Sequence, residues 1–239
     1  MTGAVESPLV KVCGLTRVED VVLSVELGAW AVGFVFAPSP RRVTAEQAVP
    51  LVAAARSAAR ARGGTGALAM GVFGDASPEA IVAVVETAGL DAVQLHEHEP
   101  GAPAVRAALG DRAREVLIVQ AMPVPATGAV DLDLRAAVAA AREAADFLLF
   151  DTSSNGRSGG TGTPFPWALA YEAAGEGPFL VAGGVSPHNV RQALEATGAW
   201  GVDVSSGVES SPGVKDAKLL RALFAAVESV APLSEGRRI

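Results

Sequence analysis

The sequence predicts a single-domain (β/α)8 TIM barrel, and three observations lead there. Eight short apolar runs alternate strictly with about eight helical ones, the pattern of a parallel sheet with right-handed crossovers. The 239 residues match the ~250 typical of one such barrel. The alternatives with an open sheet lack their signatures: the first strand–helix turn carries no GxGxxG, and GxxxxGK[ST] occurs nowhere. The domain is expected to span residues 1–239, with 1–8 and 231–239 as frayed tails.

The elements follow in order. Leu9 to Cys13 reads as the first strand and ends at Gly14. Thr16, with Glu19 three residues on, reads as a capping box opening a helix that runs to about Leu27 and closes at Gly28. Ala31 to Phe36 is the second strand, and two prolines make 37–42 a loop. Thr44 caps the next helix, which fades into Arg62-Gly-Gly-Thr-Gly66. Leu68 to Phe73 is the third strand, and Ser77-Pro78 starts the third helix. Ala92 to Leu95 is the fourth strand, ending at His96, with a helix from Ala102 to Leu109 behind it.

Val116 to Ala121 is the fifth strand, and Leu134 to Ala145 an alanine-rich helix. Phe147 to Phe150 is the sixth strand, ending at Asp151. Thr152 to Thr163 is a polar loop with four glycines, and loops of that length without structure of their own are usually functional. Phe165 to Ala174 reads as helix. Phe179 to Ala182 is the seventh strand, ending in Gly183-Gly184. Ser186 and Pro187 read as the start of a helix with Val190, Ala193, Leu194 and Thr197 on one face. Trp200 to Val204 is the eighth strand, ending in Ser205-Ser206-Gly207, and Lys215 to Val230 is the last helix.

Bulk properties narrow the function. A net charge of -7 without a basic cluster argues against nucleic acid as a partner. Cys13 is the single cysteine, so an internal disulfide is impossible and a thiolate zinc site lacks ligands. No basic-then-apolar leader opens the chain, and no uncharged apolar run reaches the ~18 residues of a membrane helix. A cytoplasmic protein with no membrane partner, no metal and no cofactor is expected.

In a closed barrel the C-terminal strand ends converge on one mouth. Cys13, the Arg41-Arg42 pair, Gln94, His96, Asp151, Asp203, Ser205 and Ser206 meet there. Gly183, Gly184 and the paired serines follow strands seven and eight, the usual phosphate position of this fold, where exposed amides and hydroxyls suit an anion. The same glycines also suit plain tight turns. A lone cysteine is ordinarily a small buried hydrophobe, but its place at a strand end makes Cys13 a candidate base. Asp151 follows four apolar residues, where an unpaired charge is costly. His96 reads as a hydrogen-bonded histidine at a strand end, with acid–base work as the alternative. One of the two arginines can form a fork for a carboxylate or phosphate. This set suits acid–base chemistry on a phosphorylated, carboxylated small molecule.

At this point the motifs match a known family. Lys11-Val-Cys-Gly-Leu-Thr16, Gly33-Phe-Val-Phe36 with Ser39-Pro-Arg41, Gly71-Val-Phe73, Val93-Gln-Leu-His96, Asp151-Thr152 with Gly159-Gly-Thr-Gly162, Ala182-Gly-Gly184 and Val202 to Glu209 resemble the phosphoribosylanthranilate isomerases of tryptophan biosynthesis. The resemblance implies an Amadori rearrangement of N-(5-phosphoribosyl)anthranilate without a cofactor, in a monomer or homodimer. It makes Cys13 the general base and Asp151 the general acid, and sets Arg41 against the anthranilate carboxylate. It places Asp203 near the sugar and amine, and the amides of Gly183-Gly184 and Ser205-Ser206 on the phosphate. The loop after Phe36 is one residue shorter than in the family, which keeps Arg42 as a rival for the carboxylate. Two other readings compete. The histidine-pathway isomerase on this barrel carries an aspartate where Cys13 stands and needs a second phosphate grip. A non-catalytic phosphosugar-binding barrel would not need the Cys13–Asp151 pair.

Overall fold

The computed structural model describes residues 7–64, 66–96, 101–124, 132–151, 167–175 and 177–230. Eight parallel strands close on themselves in sequence order. They are β1 (Leu9–Val12), β2 (Ala31–Val35), β3 (Leu68–Phe73), β4 (Ala92–Leu95), β5 (Leu117–Pro123), β6 (Phe147–Asp151), β7 (Phe179–Val181) and β8 (Gly201–Val204). The ring closes where β1 pairs with β8, Leu9 to Val12 lying beside Gly201 to Val204. Outside it stand α1 (Val18–Glu26), α2 (Ala45–Ala61), α3 (Pro78–Ala88), α4 (Ala102–Ala108), α5 (Leu132–Ala144), α6 (Trp167–Ala174), α7 (Val190–Thr197) and α8 (Ala217–Glu228). A short hairpin, β9 (Glu209–Ser211) with β10 (Val214–Lys215), is inserted between β8 and α8. No helix among the described residues is long and apolar enough to cross a membrane.

Side chains alternate between the two faces of each strand. Val10 and Val12 of β1, with Val202 and Val204 of β8, pack outward under the helices. Ala31, Met70, Ala92, Val119, Leu149 and Leu180 form a separate cluster, with Phe147 and Trp200 beside them. Two expected caps are present. Thr44 accepts from the Gln47 amide while the Gln47 side chain answers the Thr44 amide, and Ser77 accepts from Ala80. Two others are corrected. Thr16 does not cap α1: Arg17 holds the cap position without a side-chain bond, and the Thr16 hydroxyl donates to Gly213 O at 2.7 Å. Ser186 does not cap α7. Its amide donates to Asn189 Oδ1, and the helix begins at Val190, after Asn189. The last helix starts at Ala217 with Asp216 as its cap, two residues beyond Lys215. Of the expected tails, 1–8 and 231–239, residues 1–6 and 231–239 lie outside the described residues, as do the loop 152–163 and the Phe165-Pro166 step.

Candidate active site

A cavity of about 200 Å³ opens at the C-terminal strand ends. Cys13, Asp151 and Asp203 line it, together with Arg41, Gln94 and His96. Gly183, Gly184, Ser205 and Ser206 form one side of it. Every residue singled out for the site except Arg42 is therefore on one cavity. Arg42 is exposed and lines a separate depression beside Phe36 and Phe73.

Alternation along β1 puts Lys11 and Cys13 on the same inward face. Lys11 is fully buried, and its Nζ donates to Asp203 Oδ2 at 2.8 Å. The two residues are register partners across the β1–β8 seam, so the closure of the barrel itself makes this pair. Sequence reasoning missed Lys11, although a charge inside an apolar run must be paired to be tolerated. Burial alone would push the Lys11 ammonium down, but Asp203 and Cys13 outweigh it and hold it above the usual lysine range. Burial pushes the Cys13 thiol up and Asp203 adds to that, against the pull of Lys11 and Lys215. Burial also pushes the Asp203 carboxyl up, against Lys11, with the charge of Asp151 adding to the rise.

Arg41 comes in from the loop after β2. Its Nε lies 2.9 and 3.1 Å from the two carboxylate oxygens of Glu209, and its Nη2 2.6 Å from Oε2. Nη1 takes no part in this fork. Glu209, on β9, also receives Lys215 Nζ at 2.8 Å, and Lys215 donates to Ser205 O at 3.1 Å. Burial would raise the Glu209 carboxyl, but the hydrogen bonds from Arg41 and Lys215 hold it below its usual range. Gly14 makes the approach of Arg41 possible. A Cβ there would stand 2.5 Å from Arg41 Cδ and 3.1 Å from Ser205 Oγ, at a φ of +73°. The Arg41 fork thus meets a carboxylate of the protein itself. Glu209 and Lys215 are a second omission of the sequence reading, visible only once the hairpin folds back.

Asp151 ends β6 with His96 Nε2 3.8 Å from its Oδ2, so His96 belongs to the carboxylate's surroundings. Across the cavity, Gly183 and Gly184 take φ of 84° and 70°. The turn is fixed by Asn189, whose Nδ2 donates to Gly184 O at 2.9 Å. Among the described residues the amides of Gly183 and Gly184 meet no protein acceptor. Two buried acceptors also lack a partner there, Gln94 Oε1 and Asp203 Oδ1. The site thus offers a thiol beside an ammonium, a carboxyl group beside an imidazole, free amides and unfilled acceptors.

A model of the N-(5'-phosphoribosyl)anthranilate (PRA) isomerase family matches residues 10–226. The chain belongs to that family. The N-(5'-phosphoribosyl)anthranilate isomerase of Rubrobacter xylanophilus is 40% identical over 223 residues, covering 92% of this chain and 98% of that one. Monomers of the dimeric phosphoribosylanthranilate isomerase of Thermotoga maritima superpose with a TM-score of 0.73 at 31% identity, over 93% of this chain and all of theirs. A phosphoribosyl anthranilate isomerase in complex with reduced 1-(o-carboxyphenylamino)-1-deoxyribulose 5-phosphate gives a TM-score of 0.72 at 31% identity, with 93% and 100% coverage.

Proposed function

We propose that this family member catalyses the Amadori rearrangement of N-(5-phosphoribosyl)anthranilate to 1-(2-carboxyphenylamino)-1-deoxyribulose 5-phosphate, in tryptophan biosynthesis. The observation that carries the reading is that Cys13 and Asp151 line the same cavity as the Gly183-Gly184 and Ser205-Ser206 turns. An anion gripped there leaves an acid and a base on the substrate's other end. Asp151 gives a proton to the ribose ring oxygen, and the C1–O bond breaks to leave an iminium. The iminium makes the C2 hydrogen acidic. The Cys13 thiolate removes it, and the resulting enolamine tautomerises to the ketose. Two groups in different surroundings divide the two proton transfers. Gln94 Oε1 and Asp203 Oδ1 accept from substrate hydroxyl or amine donors. The relative from Thermotoga maritima is described as dimeric, and a homodimer is the assembly that likeness suggests for this chain.

Arg41 takes the anthranilate carboxylate through Nη1 while Glu209 holds its other edge. That contact is made in ground and transition states alike, so Arg41→Ala should raise KM far more than it lowers kcat. Arg42→Ala, on its separate depression, should leave both near wild type. Glu209→Ala frees the guanidinium and should raise KM in the same direction by a smaller factor. Steady-state kinetics on the three variants check this, and a larger KM effect for Arg42→Ala than for Arg41→Ala contradicts it. The reading as a whole is tested by product analysis with two substrates. The protein should convert N-(5-phosphoribosyl)anthranilate and leave the doubly phosphorylated substrate of the histidine-pathway isomerase unchanged. Turnover of the second substrate alone would overturn it.

A further inference from the structure

Lys11 is among the largest fully buried side chains of the molecule, and the acid–base steps above make no use of it. An ammonium inside a barrel is costly unless its surroundings compensate it. Asp203 takes one of its three N–H donors. The next inward-facing residue of β1 is Cys13, and Gly33 of β2 leaves the gap where the two side chains meet. A Cβ built on Gly33 would lie 3.1 Å from Cys13 Sγ and 3.3 Å from Lys11 Cε. Four charged groups face the thiol: Lys11 on its own strand, Arg41 from the loop after β2, Asp203 on β8 and Lys215 from β10. Arg41 and Lys215 are both paired with Glu209, and Lys215 donates to Ser205 O as well. Lys11 is the cation set deepest beside the sulfur.

We propose that Lys11 is a positioning residue of this site: its ammonium, held between Asp203 and Cys13, stabilises the thiolate that Cys13 must become before it can accept a proton from substrate carbon. The thiol proton leaves for solvent, sulfur keeps the electron pair, and Lys11 keeps all three of its protons. Burial and Asp203 both oppose that ionisation, and Lys11 is the first charge to counter them. The inference rests on Cys13 being the base, but its test needs no substrate.

Cys13 is the only cysteine, so iodoacetamide reports one thiol, and its rate follows the thiolate fraction. The alkylation rate is measured against pH for wild type and Lys11→Met, with folding checked by circular dichroism. An opposite charge at this range moves a titration by about 1–3 pH units. Loss of Lys11 should therefore raise the alkylation midpoint by that amount. It should also lower kcat at pH 7 by about tenfold or more, with recovery as pH rises, since the missing species is the thiolate. Lys11→Gln, whose amide can still donate to Asp203, carries the same test if the methionine variant does not fold. An unmoved midpoint in a folded variant overturns the proposal, as does a loss confined to KM, which a purely structural Lys11–Asp203 pair would give. A raised midpoint in Lys11→Met together with full activity in Cys13→Ser supports the role of Lys11 and removes Cys13 as the base.

Discussion

Cys13→Ser is expected to lower kcat by ~10²–10⁴, the usual loss when a general base is removed, with KM close to wild type. The substitution changes one atom and keeps the inward-facing position on β1, so the Gly183-Gly184 and Ser205-Ser206 turns and the Arg41–Glu209 fork are untouched. What it changes is acidity, because an alcohol cannot ionise at neutral pH in any surroundings this cavity offers. The pH profile gives a second reading. On the proposed mechanism the working form is the thiolate, and the rate of Cys13 alkylation by iodoacetamide, which follows the thiolate alone, should rise with pH through the thiol's pKa. Burial and Asp203 push that pKa up, so the rise should extend above the ordinary thiol value of about 8.5. Steady-state kinetics check the first point and alkylation rates between pH 6 and 10 the second, and a serine variant retaining most of its kcat would remove Cys13 from the mechanism.

Gly184→Val is expected to abolish most activity in a protein that still folds. Gly184 sits at a φ of +70°, and a Cβ built there meets nothing within 4 Å among the described residues. A valine therefore has room within the protein, which keeps the fold intact. It pays about 1–3 kcal/mol for a left-handed backbone and sets two methyl groups in the open space beside the free amides. Ser206→Ala removes one hydroxyl and leaves its amide, so its cost should stay at ~1–3 kcal/mol. Sulfate inhibition separates the two: competitive against wild type and Ser206→Ala, and much weaker against Gly184→Val. A valine variant that keeps full activity and full sulfate sensitivity would reduce the turn to a connection between β7 and α7.

What the sequence made legible were the features that local rules govern. The eight strands fall within a residue or two of the apolar runs, and Thr44-Gln47 and Ser77-Pro78 cap as their spacing demands. Most of what was illegible has one cause, which is that a distant partner outbids the local one. Thr16 had the spacing of a capping box, but its hydroxyl is taken by Gly213, 197 positions away. The Lys11–Asp203 pair spans 192 positions and Arg41–Glu209 spans 168, separations over which no spacing rule operates. Lys11 still carried a readable warning. An unpaired charge is as costly for a lysine inside β1 as for Asp151 at the end of an apolar run. The glycine turn after β7 was placed correctly. The start of α7 was not, because Asn189 and Ser186 both suit caps and only the folded turn decides between them.

The most direct test is to follow the loss of N-(5-phosphoribosyl)anthranilate fluorescence with the purified protein, and with the Cys13→Ser/Asp151→Asn double variant at equal concentration. The wild type should consume the substrate and yield 1-(2-carboxyphenylamino)-1-deoxyribulose 5-phosphate, while the double variant should fall to the rate of the buffer blank. A wild-type protein that leaves the fluorescence unchanged, or a double variant that turns over as fast as the wild type, would contradict the assignment of acid–base isomerase chemistry to this cavity.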